Sequence, residues 1–160
     1  MATKSVLNIK YVITLNFLLF LGFGFYSEVF CHDPGKNLPA NKIFGGFKTP
    51  TKKSSEAIGF YSRGCLSGAV RLEDTGPNWQ VMRPSRNRNW GHPTTIDFIE
   101  SLSKNAVKVG WKGLYIGDIG GARGGPMPYG HQSHQIGLDV DIWLSPPKNL
   151  SLTKKQRDNL

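Results

Sequence analysis

The segment Gly130–Asp141, which reads GHQSHQIGLDVD, decides how this sequence is interpreted. It contains two of the four histidines in the chain. In its second half aliphatic and acidic residues alternate, which predicts a strand with Asp139 and Asp141 on one face. His131 and His134 precede that strand and can fold back over its polar face. The sequence therefore predicts two imidazoles and two carboxylates at a corner between a loop and a strand.

Imidazole nitrogens and carboxylate oxygens are the usual protein ligands of zinc, and a catalytic zinc site leaves one position open for water. A structural interpretation is also available for each residue alone: His131 could cap a loop, His134 could be a hydrogen-bonded core histidine, and the aspartates could bond to backbone or arginine. The joint spacing His-x-x-Gly-x-x-x-Asp, from His134 to Asp141, favours a metal site over these separate roles.

The helical signal preceding this segment is strongest from about Thr95 to Val109, where apolar residues recur at helical spacing and predict a helix that covers a core. The helix-end signals are Thr94 or Thr95 as the N-cap, Asp97 and Glu100 in the first turn, and Gly110 as the C-terminal stop.

Short strands are predicted on either side of this helix. From Glu56 onwards, apolar pieces broken by glycine are typical of strands and tight turns. Gly113–Asp118, GLYIGD, is predicted to be a buried strand, and Gly120–Gly130 a glycine-rich loop that lacks the Gly-Lys-Ser/Thr of a P-loop. The predicted fold class is α+β, with a mainly antiparallel sheet, flanking helices and a zinc groove on the polar face of the sheet.

Three arginines, Arg83, Arg86 and Arg88, are crowded between Trp79 and Trp90. Such a cluster could hold an anionic ligand group. Pairing with carboxylates of the same fold, or plain solvation, is the favoured interpretation.

The N-terminus has the pattern of an export signal. Lys4 and Lys10 precede the uncharged run Tyr11–Ser27, and this predicts that residues 1–31 are a signal peptide. The run has 17 residues, short of the roughly 18–20 that cross a bilayer comfortably. Cleavage would also remove it, and no stable membrane span is expected in the mature protein. We expect a periplasmic location, with secretion or a retained N-terminal anchor as alternatives.

The chain is basic, with a formal net charge of +9. Removal of residues 1–31 leaves eighteen basic against ten acidic residues. This charge favours attraction to anionic polymers such as cell-wall material, although surface lysines that only keep a protein soluble explain it equally well. Nucleic acid is not an expected partner, because export removes the protein from that compartment and no nucleic-acid motif is present. Residues 32–55, rich in Lys, Pro, Gly and Asn, are predicted to be an exposed lead-in.

The sequence resembles a known family. The His-x-x-Gly-x-x-x-Asp spacing is the signature of the zinc peptidases grouped with lysostaphin, D-alanyl-D-alanine metallopeptidases and sonic hedgehog. Over roughly residues 58–145 the chain is similar to the penicillin-insensitive murein endopeptidase family. The similar strings are Gln80–Arg83, Gly91–Pro93, Ile116–Asp118 and Gly130–Trp143.

The resemblance implies that His134 and Asp141 are zinc ligands and that His131 is a further histidine associated with the metal. Asp139 is expected to orient a ligand or a substrate amine from outside the coordination sphere. In the family, the last zinc-binding histidine and the catalytic histidine come from a later motif, which in this chain would lie beyond Leu160.

The remaining histidines, His32 in the lead-in and His92 in its own Gly-His-Pro string, are not expected to replace that motif. Cys65 corresponds to an early cysteine of the family whose disulfide partner lies in the later part, outside this chain. Residues 56–160 are therefore interpreted as the N-terminal part of a zinc peptidase domain truncated at its C-terminus.

The implied function is hydrolysis of peptidoglycan cross-links, at the amide between D-alanine and meso-diaminopimelate, by metal-activated water. The 160-residue chain alone is expected to be inactive. Three alternatives remain: a cationic, non-catalytic cell-wall-binding module, a signalling or structural zinc domain, and a serine hydrolase using Ser133. The last is disfavoured because Gly-x-Ser-x-Gly is absent.

Overall fold

The computed structural model describes residues 38–160. The predicted signal peptide and His32 lie outside the described residues. Within this part the chain forms three α-helices, seven short strands and one 3-10 helix. In chain order they are α1 (Ala40–Gly46), β1 (Glu56–Phe60), β2 (Arg63–Ser67), β3 (Val70–Arg71), β4 (Thr75–Gly76), β5 (Trp79–Val81), the 3-10 helix (Pro84–Arg86), β6 (Trp90–Gly91), α2 (Pro93–Lys108), β7 (Leu114–Ile116) and α3 (Lys154–Asp158).

The strands form three small sheets. β1 and β2 are an antiparallel hairpin, β3 pairs antiparallel with β6, and β5 lies between β4 and β7. The pairing of β4 with β5 is antiparallel and that of β5 with β7 is parallel. The α+β prediction, with mostly antiparallel pairing, is confirmed, but the strands are divided among three sheets because most of them are only two or three residues long.

One hydrophobic core holds the three-stranded sheet against α2. The core residues are Leu72, Trp79, Val81, Ile96, Ile99, Leu114, Ile116 and Ile119. Leu102 and Ala106 of α2 pack against this cluster. The prediction that the helix covers a core is therefore confirmed, and so is the buried strand in Gly113–Asp118.

Helix α2 begins two residues earlier than predicted. The N-cap is His92, whose Nδ1 accepts a hydrogen bond from the Thr94 main-chain nitrogen at 3.3 Å. The prediction of Thr94 or Thr95 as N-cap is wrong because Pro93 occupies the first helical position, where its fixed φ suits the helix and its missing N–H costs nothing.

Because the helix begins earlier, the acidic residues Asp97 and Glu100 lie beyond its first turn. No acidic residue lies in the first turn, so the placement of Asp97 and Glu100 there is wrong. Gly110 follows the helix with φ of 93°, a left-handed conformation that suits glycine, and the predicted stop is confirmed.

The predicted strand after Gly137 is not a regular strand. Only Ile142 pairs, in a single antiparallel bridge to Ile116 at the end of β7. The Gly117 main-chain nitrogen donates to the Asp141 carbonyl oxygen at 2.7 Å. Asp139 and Asp141 therefore lie on an irregular segment beside one edge of β7 and not on a sheet face, because Asp141 bonds through its backbone to Gly117 and Asp118, which lie beyond the end of β7.

Helix α1 lies within the segment predicted to be an exposed lead-in, and no sequence period predicted it. Ile43 is buried, and Asn41 Nδ2 donates to the carbonyl oxygen of Pro128 at 3.4 Å. A Cβ at Gly45 would lie 2.2 Å from Pro128 Cγ, so only glycine permits this approach. At least this part of the lead-in packs on the domain.

Two further facts bear on the N-terminal predictions. In the part of the chain that the structure describes, no helix is long and apolar enough to span a bilayer. Cys65 is buried in β2. The one other cysteine of the sequence, Cys31, lies outside the described residues, and the pairing of Cys65 with a cysteine of a longer polypeptide stays a prediction.

Candidate metal centre

A left-handed backbone places His134 in the interior. Its φ is 65°, unusual for a residue other than glycine, and only 2% of its surface is exposed. Gly137 also has positive φ, and a Cβ there would lie 2.5 Å from Leu66 Cδ2. The chain turns sharply on both sides of His134 and brings the imidazole back towards Asp139 and Asp141.

Gln135 holds this turn in place through its side chain. Nε2 donates to the carbonyl oxygens of Ser62 and Gln132, each at 2.9 Å, and Oε1 accepts from the Gly64 nitrogen at 3.2 Å. Its own main-chain nitrogen donates to the Tyr61 carbonyl oxygen. A buried side-chain amide whose hydrogen bonds are satisfied favours a single geometry. Gln135 therefore ties the turn at His134, called the histidine turn below, to the β1–β2 hairpin.

The predicted ligands lie together. His134 Nε2 is 3.4 Å from Asp141 Oδ1, and His131 Nε2 is 3.5 Å from Asp141 Oδ2. One potential ligand atom from each of these three residues lies within 4.8 Å of the others. The two imidazole rings stand nearly perpendicular, with centroids 5.0 Å apart.

These separations suit a small divalent metal ion. Ligands about 2.0–2.1 Å from a tetrahedral ion are about 3.3–3.4 Å apart, close to the two shorter separations here. Both ring nitrogens of His134 are buried without a hydrogen-bond partner in the described structure. A buried polar atom with no partner is costly, and a metal ion at Nε2 would satisfy it. His131, His134 and Asp141 can therefore hold a metal ion.

Asp139 lies behind His134. Its Oδ2 is 2.9 Å from His134 Nδ1, although the direction is poor for a hydrogen bond, and it accepts the His134 main-chain N–H at 3.2 Å. A carboxylate at the nitrogen opposite the metal-binding one selects the tautomer and orients the ring. Asp139 thus lies beside His134 and outside the group of three possible ligands, and its role in orienting that ring stays a prediction.

An ion pair not predicted to belong to the site borders the metal group. Asp118, 5% exposed, follows β7, and its Oδ2 lies 2.8 Å from Arg88 Nη1, 3.5 Å from Arg86 Nη1 and 4.0 Å from His131 Nε2. The favoured interpretation of the arginine cluster, pairing with a carboxylate of the same fold, is confirmed for Arg86 and Arg88. Arg83 instead donates from Nε to the Leu160 carbonyl oxygen at 3.0 Å.

Residues 57–160 match the family model described as penicillin-insensitive murein endopeptidase. The chain belongs to this family. Among curated proteins, the penicillin-insensitive murein endopeptidase of Yersinia enterocolitica is 46% identical over 99 residues, and those of Escherichia coli and Klebsiella pneumoniae are each 43% identical over the same length. Each match covers 62% of this chain and 36% of the relative. The chain thus spans about a third of the length of the curated relatives it matches.

In this murein endopeptidase family member, His92 is not expected to supply the missing metal ligand. The His92 ring caps α2, and its main-chain nitrogen donates to the Gly137 carbonyl oxygen at 2.9 Å. Within residues 38–160, the group able to hold a metal contains His131, His134 and Asp141 but neither His92 nor Cys65. The histidine turn is thus supported by the backbone of His92 while its imidazole is used elsewhere.

Sequence reasoning missed Gln135 and the role of Asp118. A glutamine inside a metal signature carries no sequence signal of its own, because its partners are main-chain atoms far away in the sequence. Asp118 offered a weak signal, since an acidic residue at the end of a predicted buried strand, in a chain that also contains an arginine cluster, is a candidate for a buried ion pair.

Proposed function

We propose that this chain is the N-terminal part of a zinc metallopeptidase that hydrolyses peptidoglycan cross-links, at the amide between D-alanine and meso-diaminopimelate. The observation that carries the proposal is the buried, unpartnered Nε2 of His134, 3.4 Å from Asp141 Oδ1, inside a family whose relatives are named murein endopeptidases. The catalytic histidine and a further zinc ligand would come from polypeptide beyond Leu160.

Each residue of the group has a distinct task. His134 and Asp141 would supply the principal ligand atoms, and His131, half exposed, would stand at the open side where substrate approaches. Asp139 would keep the His134 ring in the tautomer whose Nε2 is free to bind metal. When bound, zinc would lower the pKa of a coordinated water to about 7 and polarise the scissile carbonyl.

The rest of the site favours this use. Asp118 lies 4.0 Å from His131 but is neutralised by the buried Arg88, so the pair adds little net charge beside the metal. The excess of eighteen basic over ten acidic residues that remains after removal of residues 1–31 would draw the protein to an anionic wall, an attraction that added salt should weaken. The proposed compartment is the periplasm.

The test measures zinc content and cleavage together. The 160-residue chain and a form extended with the following polypeptide are incubated with cross-linked sacculi, with and without a chelator, and released muropeptides are counted. We expect weak zinc retention and no cleavage by the shorter chain, and chelator-sensitive cleavage by the extended one. In the extended form, His134→Ala should abolish cleavage. His92→Asn, which keeps a side-chain acceptor at the N-cap of α2, should leave cleavage intact.

Two outcomes would count against the proposal. Cleavage that survives His134→Ala would remove the zinc assignment. Binding to sacculi without cleavage in either form, and independent of metal, would favour the alternative of a cationic wall-binding module.

A further inference from the structure

A cleft of about 240 Å³ is lined by Arg86 and Arg88, the two arginines that pair with Asp118 beside the metal group. Its walls come from three separate parts of the chain: the α1 region, the 3-10 helix and the glycine-rich loop. Phe44 and Tyr129 contribute aromatic surface, and Lys48, Arg86 and Arg88 contribute positive charge. No aspartate or glutamate of the described chain lines it.

The cleft carries uncompensated positive charge. Arg88 is committed to Asp118 at 2.8 Å and donates from Nη2 to the Tyr129 carbonyl oxygen at 2.9 Å. Arg86 is 27% exposed in its side chain, and its one ionic contact in residues 38–160 is with the same Asp118, at 3.5 Å. Lys48 is exposed and forms no salt bridge with any described residue. Of the three cations, Arg86 and Arg88 therefore share one carboxylate, and Lys48 has no carboxylate partner among the described residues.

The Arg86 guanidinium is held near the metal group. The guanidinium carbon, Cζ, lies 5.9 Å from the centroid of the Tyr129 ring, and this contact limits the directions in which the guanidinium N–H groups can point. The Asp118 oxygen that contacts Arg86 is also 4.0 Å from His131 Nε2. Arg86 Nη1 and His131 Nε2 thus both lie within 4.0 Å of one carboxylate oxygen, which places Arg86 beside the metal group.

The proposed substrate carries an anion close to the scissile bond. The diaminopimelate carbon that bears the scissile nitrogen also bears a free carboxylate, so a negative charge lies two bonds from the bond to be cut. Arginine binds carboxylates through a planar fork with two parallel hydrogen bonds, and lysine adds a point charge.

We infer that Arg86, assisted by Lys48, binds the free carboxylate on the amine side of the scissile amide, so that the cleft selects cross-links whose acceptor centre is an unmodified amino acid. The inference rests on the proposed function. The small cleft volume suits one end group of a substrate rather than a whole peptide, and Phe44 and Tyr129 would contact its methylene carbons.

The test compares two synthetic ligands. One is a cross-linked tetrapeptide–tripeptide dimer with this carboxylate free, and the other is the same dimer with it amidated. Binding to the zinc-supplemented chain is measured by NMR titration of backbone amides, and Gly124 and Gly125 report on the cleft wall. The variants are Arg86→Gln, Lys48→Gln and, as a control with the same charge change at an exposed site, Lys112→Gln.

The free acid should bind the unmodified chain about tenfold more tightly than the amide, as expected for a charge-assisted pair. Arg86→Gln should remove that preference, Lys48→Gln should reduce it, and Lys112→Gln should leave it unchanged.

Equal affinity for acid and amide, or absence of binding by both, would overturn the inference. A preference that persists in Arg86→Gln would do the same. None of these results decides the proposed function, because cleavage of natural sacculi by the extended form, and its loss in His134→Ala, measures that function independently of the cleft.

Discussion

Replacing Gln135 with leucine should both destabilise the domain and loosen the metal group. Leucine is close in size, but it removes three side-chain hydrogen bonds and leaves the carbonyl oxygens of Ser62 and Gln132 and the Gly64 N–H without these partners. A net hydrogen bond is worth about 0.5–1.5 kcal/mol, and each buried group left unsatisfied costs about 1–3 kcal/mol. Because these groups are only partly buried, we expect a loss of about 2–4 kcal/mol in the free energy of unfolding.

Gln135→Leu should also weaken zinc binding by the folded domain. The left-handed backbone of His134 adjoins the residue that is anchored to the hairpin, so we expect it to relax when the anchor is lost; mutating residues that support metal ligands commonly changes affinity by about 10–100-fold. The measurements are urea unfolding and zinc competition with a chromophoric chelator, under conditions where both variants are folded. Gln132→Leu is the matched control, since it makes the same change on an exposed side chain of the same loop.

If Gln135→Leu unfolds within about 0.5 kcal/mol of the unmodified chain and competes for zinc equally well, the argument that this amide fixes the histidine turn is refuted. A large loss of stability with unchanged zinc affinity would limit its role to packing the hairpin.

Three further predictions concern the surrounding structure. Arg88→Met should cost about 3–5 kcal/mol in urea unfolding, because it leaves the buried Asp118 carboxylate without its closest cation. Gly137→Ala should cost more than about 1 kcal/mol, because alanine is strained at φ of 66° and its Cβ would meet a core leucine, whereas Gly46→Ala in α1, with open space around it, should be neutral or stabilising. Asp158→Asn should remove stability at neutral pH but not in acid, because a hydrogen bond from a main-chain N–H of the 3-10 helix lowers the pKa of Asp158 below its usual 3.8.

The pH prediction follows from the direction of the pKa change. A carboxylate with a depressed pKa in the folded state stabilises the fold above its unfolded-state pKa, and this stabilisation is lost as pH falls through the folded-state value. The free energies of unfolding of Asp158→Asn and the unmodified chain should therefore differ near pH 7 and converge in acid, as pH falls through the lowered folded-state pKa. Free energies that stay equally far apart near pH 7 and in acid would contradict the assignment. A free energy of unfolding of Arg88→Met within about 1 kcal/mol of the unmodified chain would contradict the ion-pair argument. Equal stability of Gly137→Ala and Gly46→Ala would contradict the argument from backbone strain and close packing.

Local patterns in the sequence were enough for several features. The apolar spacing of α2, the short buried strand β7 and the left-handed Gly110 all depend on residues a few positions apart. The spacing from His134 to Asp141 likewise depends on one continuous segment, and the structure brings those two residues and His131 together as the sequence predicted.

Tertiary structure decided the features whose partners are distant in the sequence. Asp118 meets Arg88 across 30 positions, and Gln135 anchors to main-chain atoms more than 70 positions earlier. The short helix α1 is a further case, because a seven-residue helix has no stability of its own and forms where Gly45 can pack on Pro128. The sequence by itself determined which ligand atoms are available for a metal. Only the folded chain decided their support, because hydrogen bonds and ion pairs to distant backbone and side chains leave no period or spacing in the sequence.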